Sequence, residues 1–192
     1  MELQEIINKT REIASTVTAG EVEAIEEDYA WPERTIRGMQ RAGLAGLVVP
    51  TSEGGQGKGM LALAMVCEEL GKVSASAALC FGMHGVGTAV IAAKATPFQK
   101  ETFLKPIAEG SHITTLALSE PGSGAHFYFP QTELSIKNDF LEINGEKTFV
   151  TNGGHADSYV LSTTAAEAGA PPDLFSAVVV PHESKGLKWG KE

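Results

Sequence analysis

About 110 residues into this chain the spacing of its apolar residues changes, and the two halves demand different secondary structure. Before Gly110 the apolar positions recur at helical intervals. Beyond His112 the runs HITTLALS, TELSIK, FLEI, KTFV, SYVLST and FSAVVV are β-branched and follow a period of two. Asn138-Asp139 and Asn144-Gly145 lie between such runs, and Asn-Gly favours a hairpin because both residues tolerate positive φ. The spacing therefore predicts an α+β chain: helices first, then antiparallel β-structure, with the boundary near Gly110.

In the first half, Leu3, Ile6, Ile7, Ile13 and Val17 fall on one face of a helix. Pro32 can open a short helix that Arg41 and Gly43 close. The apolar segment LAGLVVP ends at Pro50. A glycine loop, TSEGGQGKG, then precedes a helix over MLALAMVCEELG. From Ser74 to Ala95 small apolar residues interrupted by Gly82, Gly85 and Gly87 read as a buried helix closely approached by its neighbours. Thr96 caps a helix with Pro97 at its first position, and a second turn begins at Pro106 and stops at Gly110.

The composition removes several classes of function. Hydrophobic residues make up 43% of the 192, enough for a core. The formal charge of −9, from 15 basic and 24 acidic residues, argues against a nucleic-acid partner. Cys67 and Cys80 are too few for a disulfide scaffold and read as small apolar residues in a reducing compartment. An uninterrupted apolar run of the roughly 18 to 20 residues that a membrane helix needs is not evident, and the N-terminus is unlike a signal peptide, so the expected setting is cytoplasmic with no transmembrane segment.

Most motif-like features are ordinary. Gly57-Lys58 is followed by Gly59 where a P-loop needs Ser or Thr, and the third glycine of a dinucleotide fingerprint would fall on Met60. The five histidines lack metal-ligand spacing, so no metal site is expected. Adjacent Glu68 and Glu69 point about 100° apart on a helix and do not face one another. Two stretches are more informative. LALSEPGSGAHFYFPQT runs a strand into a Gly-Ser-Gly turn of the kind that can bind anions, and NGEKTFVTNGG presents Thr151 and Asn152 beside two glycines.

In order and spacing, the pieces PTSEGGQG, EELGKVSAS, TPFQKETFLKPIAEG, SEPGSGAH and KTFVTNGG, followed by SKGLKWGKE, resemble the acyl-CoA dehydrogenase family of flavoproteins, with its T-E-P-x-A-G-S-D and W-I-T-N-G signatures. The resemblance covers about residues 30 to 192. It implies an N-terminal α-helical domain over residues 1–111 and a middle antiparallel β-barrel domain over 112–192. A C-terminal helical domain, which in the family supplies the catalytic glutamate and much of the subunit interface, has no counterpart here, so no catalytic base is assigned.

The resemblance further implies an FAD site on Leu116, Leu118 and Ser119, beside the flavin pyrimidine ring. Gly124 and Ala125 would stand near the pyrophosphate, with Phe149 against the isoalloxazine and Thr151 near flavin N5. Ala125 and His126 depart from the family's Ser and Asp. The implied reaction is α,β-dehydrogenation of an acyl-CoA thioester to a trans-2-enoyl-CoA, with hydride transfer to N5 and an electron-transfer flavoprotein or similar acceptor. The full-length protein would be a homo-oligomer, and the present chain alone would be inactive. Two other readings stay open at this point: a flavin monooxygenase or oxidase on the same fold, and a non-catalytic partner subunit.

Overall fold

A computed structural model of the chain describes residues 1–124, 126–167, 169–171 and 173–190. The helical half begins with α1 (Leu3–Thr16), which buries Ile6, Ile7, Thr10 and Ala14. After α2 (Val22–Glu27) comes α3 (Glu33–Arg41), with Pro32 at its N-cap. Proline offers no capping side chain, and the free N–H groups of Arg34 and Thr35 instead donate to the Glu21 carboxylate at 2.8 Å each. An acid at this end also suits the helix dipole. Gly43, at φ +74°, ends the helix as expected.

Helices α4 (Gly59–Gly71) and α5 (Ala75–Lys94) pack against each other, and Ser74 caps α5 by accepting from the Ala77 N–H. By length and composition α5 is long and apolar enough to cross a membrane. Its tertiary role is that of a core helix: Ala77, Phe81, His84, Gly85, Gly87, Thr88 and Ile91 are buried among α4 and the sheet. Gly87 sits where an added Cβ would lie 2.9 Å from the Thr115 carbonyl carbon, so the absence of a side chain lets helix and strand touch.

Thr96 and Gln99 form a reciprocal capping box at α6 (Pro97–Gln99). The helix does not restart at Pro106, as the sequence suggested. It continues through a π turn (Lys100–Leu104) into α7 (Lys105–Ala108), the wider turn preceding the proline that cannot donate to it.

The β half has strands β1 (Thr114–Ala117), β2 (Glu133–Ile136), β3 (Leu141–Asn144), β4 (Ser158–Thr164) and β5 (Phe175–Pro181). Strands β2 and β3 form the antiparallel hairpin expected around Asn138-Asp139, with Leu134 opposite Ile143. In the other sheet, ordered β1-β4-β5, β4 and β5 pair antiparallel, whereas β1 and β4 pair parallel, with Thr114 opposite Ser158. The sequence reading missed this parallel pair. It arises because residues 118–157, including the β2–β3 hairpin, form one crossover that returns the chain in its original direction. Among the described residues the strands make sheets of three and two, linked by the Thr164 N–H to Thr132 carbonyl bond, without a closed barrel.

The KTFV run is not a strand, and Asn144-Gly145 does not turn a hairpin into it. Gly145 presses on Thr132, where a Cβ would lie 2.7 Å from the Cα, and the following residues are drawn toward the segment after β1, with the Thr148 N–H donating to the Ser119 carbonyl. Tertiary contacts thus override the local turn signal.

One buried cluster joins the two halves, packing Ile6, Ile36, Met39, Leu70 and Phe81 with Ile113 and Tyr159. Polar side chains cross the same junction: the Trp31 indole N–H donates to Asn152 Oδ1, and Asn152 Nδ2 donates to the Cys80 carbonyl, both at 2.8 Å. Both cysteines are free, and burial pushes the Cys80 thiol up to about 11, consistent with packing rather than reactivity.

Candidate functional site

The turn after β1 is built by its own polar atoms. The Glu120 N–H donates to Ser123 Oγ at 3.0 Å, while the Ser123 hydroxyl and N–H both return to the Glu120 carbonyl at 3.1 Å. Gly122 and Gly124 take φ values of +79° and +51°, and the space beside each is open, so backbone conformation is what asks for glycine there.

Beneath the turn lies a buried ion pair. Lys147 Nζ donates to Glu120 Oε1 at 2.6 Å, with 8% and 3% of the respective side chains exposed. The carboxylate also accepts from the N–H groups of Gln131 and Thr132 and from the Thr132 hydroxyl, and Lys147 donates further to the Leu118 carbonyl and Ser162 Oγ. Burial alone would raise the Glu120 carboxyl, but the bonds from Lys147, Thr132 and the two backbone amides outweigh it and hold the group at about 2. Burial pushes the Lys147 ammonium down, against the pull of Glu120. The pair ties the turn after β1 to the segment carrying Phe149.

Above these ties opens a shallow groove of about 170 Å³, lined by Met83, Leu116, Leu118, Ser119, Gly124, Phe127 and Phe149. Five of the residues selected from sequence meet here: Leu116, Leu118, Ser119, Gly124 and Phe149. Strand β1 is the edge of its sheet, so one row of its main-chain donors and acceptors is left unused by any described strand. Phe149 is 97% exposed and sits at φ +52°, a backbone region costly for a bulky residue. A bare aromatic ring held on a strained backbone suits contact with a ligand better than it suits packing.

Thr151 is not part of this lining. Its carbonyl accepts from the Thr115 hydroxyl at 2.7 Å, which anchors the TNGG segment to β1. Ala125 lies outside the described residues. The sequence reading did not select Met83 and Phe127, nor the Glu120–Lys147 pair. Glu120 and Lys147 stood inside the two informative stretches, but nothing local shows that residues 27 positions apart will meet. Met83 comes from α5, where helical spacing alone suggests core.

Other titratable groups support the frame. His84 is fully buried, its Nε2 paired with the Ala45 carbonyl at 3.0 Å and its Nδ1 accepting the Thr114 N–H at 3.2 Å. Burial holds it down at about 4, so it bridges α5 and β1 as a neutral ring. Asp157 Oδ2 accepts the Ile113 N–H at 2.7 Å, fixing the start of the same strand.

Sequence comparison gives this arrangement its relatives. Residues 1–111 match the N-terminal domain of acyl-CoA dehydrogenase, and residues 115–192 match its middle domain. The chain belongs to the acyl-CoA dehydrogenase family. Among curated members it is 28% identical to a probable acyl-CoA dehydrogenase of Bacillus subtilis, over 97% of this chain and 49% of that protein. It is 33% identical to cyclohex-1-ene-1-carbonyl-CoA dehydrogenase of Geobacter metallireducens, over 96% of this chain and 49% of that one. The chain spans about half the length of the curated relatives it matches. Among solved structures, the acyl-CoA dehydrogenase of Geobacillus kaustophilus superimposes with a TM-score of 0.83 at 27% identity, over 97% of this chain and 50% of that chain. A chain from a study of the electron transferring flavoprotein of Acidaminococcus fermentans gives 0.88 at 30% identity, over 98% and 50%. An FAD complex of PigA shares the fold, with a TM-score of 0.79 at 20% identity, over 98% and 50%.

Proposed function

We propose that this chain supplies one wall of the flavin site in an FAD-dependent acyl-CoA dehydrogenase, which converts an acyl-CoA thioester to a trans-2-enoyl-CoA and passes electrons to an electron-transfer flavoprotein or similar acceptor. In this reading residues 1–111 form a helical domain that backs the site and residues 112–192 carry it. The observation that supports it best is the convergence of Leu116, Leu118, Ser119, Gly124 and Phe149 on one groove. The lining fits the cofactor: apolar side chains for a planar ring, a hydroxyl at Ser119, and an unpaired strand edge that can donate to ring heteroatoms. When bound, FAD supplies the hydride acceptor.

The chain's own residues then orient and exclude. Leu116, Leu118 and Phe149 would shield a bound ring from water, and the Ser119 hydroxyl with the free edge of β1 would offer fixed dipoles to its polar atoms. Glu120 stands nearby but is unsuited to remove an α-proton. It is 5% exposed, committed to Lys147, and held at about 2, far too weak a base at neutral pH. The base is therefore proposed to lie outside these residues, so the 192-residue chain should bind FAD weakly, purify without it and leave acyl-CoA unchanged. Equilibrium dialysis against FAD up to millimolar concentration tests this. Saturable binding weakened by Phe149→Ala supports the reading; absence of saturable binding overturns it, and turnover of acyl-CoA by the chain alone overturns the placement of the base.

A further inference from the structure

Next to the groove stands a feature that neither the fold nor the proposed reaction explains, the run His126-Phe127-Tyr128-Phe129. These aromatic side chains are partly exposed, with Phe127 at 43% and Tyr128 and Phe129 at 39% each, yet they are ordered against one another. Phe127 meets Tyr128 edge to face at 5.6 Å, and Tyr128 meets Phe129 at 4.8 Å. His126 Nδ1 pairs with the Tyr128 hydroxyl at 3.0 Å. The run is fastened to the turn below it, since the His126 N–H donates to the Ser123 carbonyl and the Phe129 N–H to the His126 carbonyl. One of these rings, Phe127, lines the groove together with Leu116, Leu118 and Phe149. Leaving three adjacent aromatic rings in water is unfavourable unless a ligand uses them.

Resting on the flavin reading of the groove, we propose that Phe127 is a ring-contacting residue of this site, an aromatic wall additional to Phe149, and that Tyr128 positions it through its contact with His126. The residue contacts the isoalloxazine end of the cofactor rather than its phosphates or adenosine. The test is equilibrium dialysis of the 192-residue chain with two probes, FAD and lumiflavin, the isoalloxazine without its tail. Phe127→Ala should weaken both about three- to tenfold, the range expected for one aromatic contact. Phe127→Tyr should restore binding, and Phe127→Leu, which keeps apolar volume without a π face, should not. Tyr128→Phe, which removes the bond to His126, should weaken lumiflavin measurably less than Phe127→Ala. Phe140→Ala, at an exposed ring in the β2–β3 turn, serves as the control and should change neither probe. Circular dichroism of each variant confirms folding. Unchanged lumiflavin binding in Phe127→Ala, while Phe149→Ala weakens it, overturns this inference and leaves the flavin reading standing. A loss seen with FAD but not with lumiflavin also overturns it, because Phe127 would then contact the tail. Failure of the wild-type chain to bind either probe overturns both.

Discussion

Replacing Lys147 by methionine removes the cation from the buried pair and leaves the Glu120 carboxylate in place, 5% exposed, with donors only from Gln131 and Thr132. Breaking one side of a buried pair costs about 3–5 kcal/mol, and the three remaining donors place this case near the lower end, about 3 kcal/mol. The same contacts show in the carboxyl's descent on folding, from an ordinary 4.5 to about 2, which Lys147, Thr132 and the two backbone amides bring about together. Because the folded value is the lower one, this stability is complete above the ordinary value and drains as the pH falls from about 4.5 toward 2. At a urea dependence of about 2 kcal/mol per molar, the midpoint of Lys147→Met should fall by roughly 1.5 M at pH 7, and the loss of stability between pH 4.5 and 2 should be smaller than in wild type. The double variant Glu120→Gln with Lys147→Met, which removes both charges, should be less destabilised than the two single losses added together, by about 1 kcal/mol or more. Urea titrations followed by circular dichroism at several pH values measure all three. A midpoint shift below about 0.3 M, or strict additivity of the two substitutions, would show that the pair does not hold the turn and the Phe149 segment together.

Two further outcomes follow from the junction of helix and sheet. The His84 ring should stay neutral in the folded chain until the pH approaches about 4, so its contribution to stability is present above 6.5 and lost between 6.5 and 4; an NMR titration showing it protonate near 6.5 in the native state would refute the buried, bridged ring. Gly87→Ala should cost about 1–3 kcal/mol because its Cβ meets the Thr115 backbone, whereas Gly71→Ala, whose Cβ would touch only Ala78 at 3.7 Å, should be close to neutral; equal urea midpoints for the two would refute the close approach of α5 and β1.

The helices were legible because their signals are local. The spacing of Leu3, Ile6, Ile7, Ile13 and Val17 marks the apolar face of α1, with Ile6 and Ile7 in the core, Gly43 and Gly110 supply the positive φ that ends helices, and Thr96 with Gln99 forms a cap within four residues. The Asn138-Asp139 hairpin was readable for the same reason. Asn144-Gly145 carried an equally good signal and was overruled, because the chain beyond it is held by Glu120 and Ser119, not by the preceding strand.

Sequence by itself determined where helix gives way to strand, and motif order marked out seven residues, of which Leu116, Leu118, Ser119, Gly124 and Phe149 line one groove in the fold. Both follow from patterns written within a few residues or from ordered motifs along the chain. Tertiary structure alone decided that β1 pairs parallel with β4 across 44 positions, that α5 is a core helix despite an apolar length sufficient for a membrane, and that Phe127 and Met83 complete the groove. It also brought Glu120 to Lys147. Burial and ion pairing depend on what stands opposite a residue after the chain has folded, and no property of Glu120, Lys147 or Phe127 in isolation carries that information.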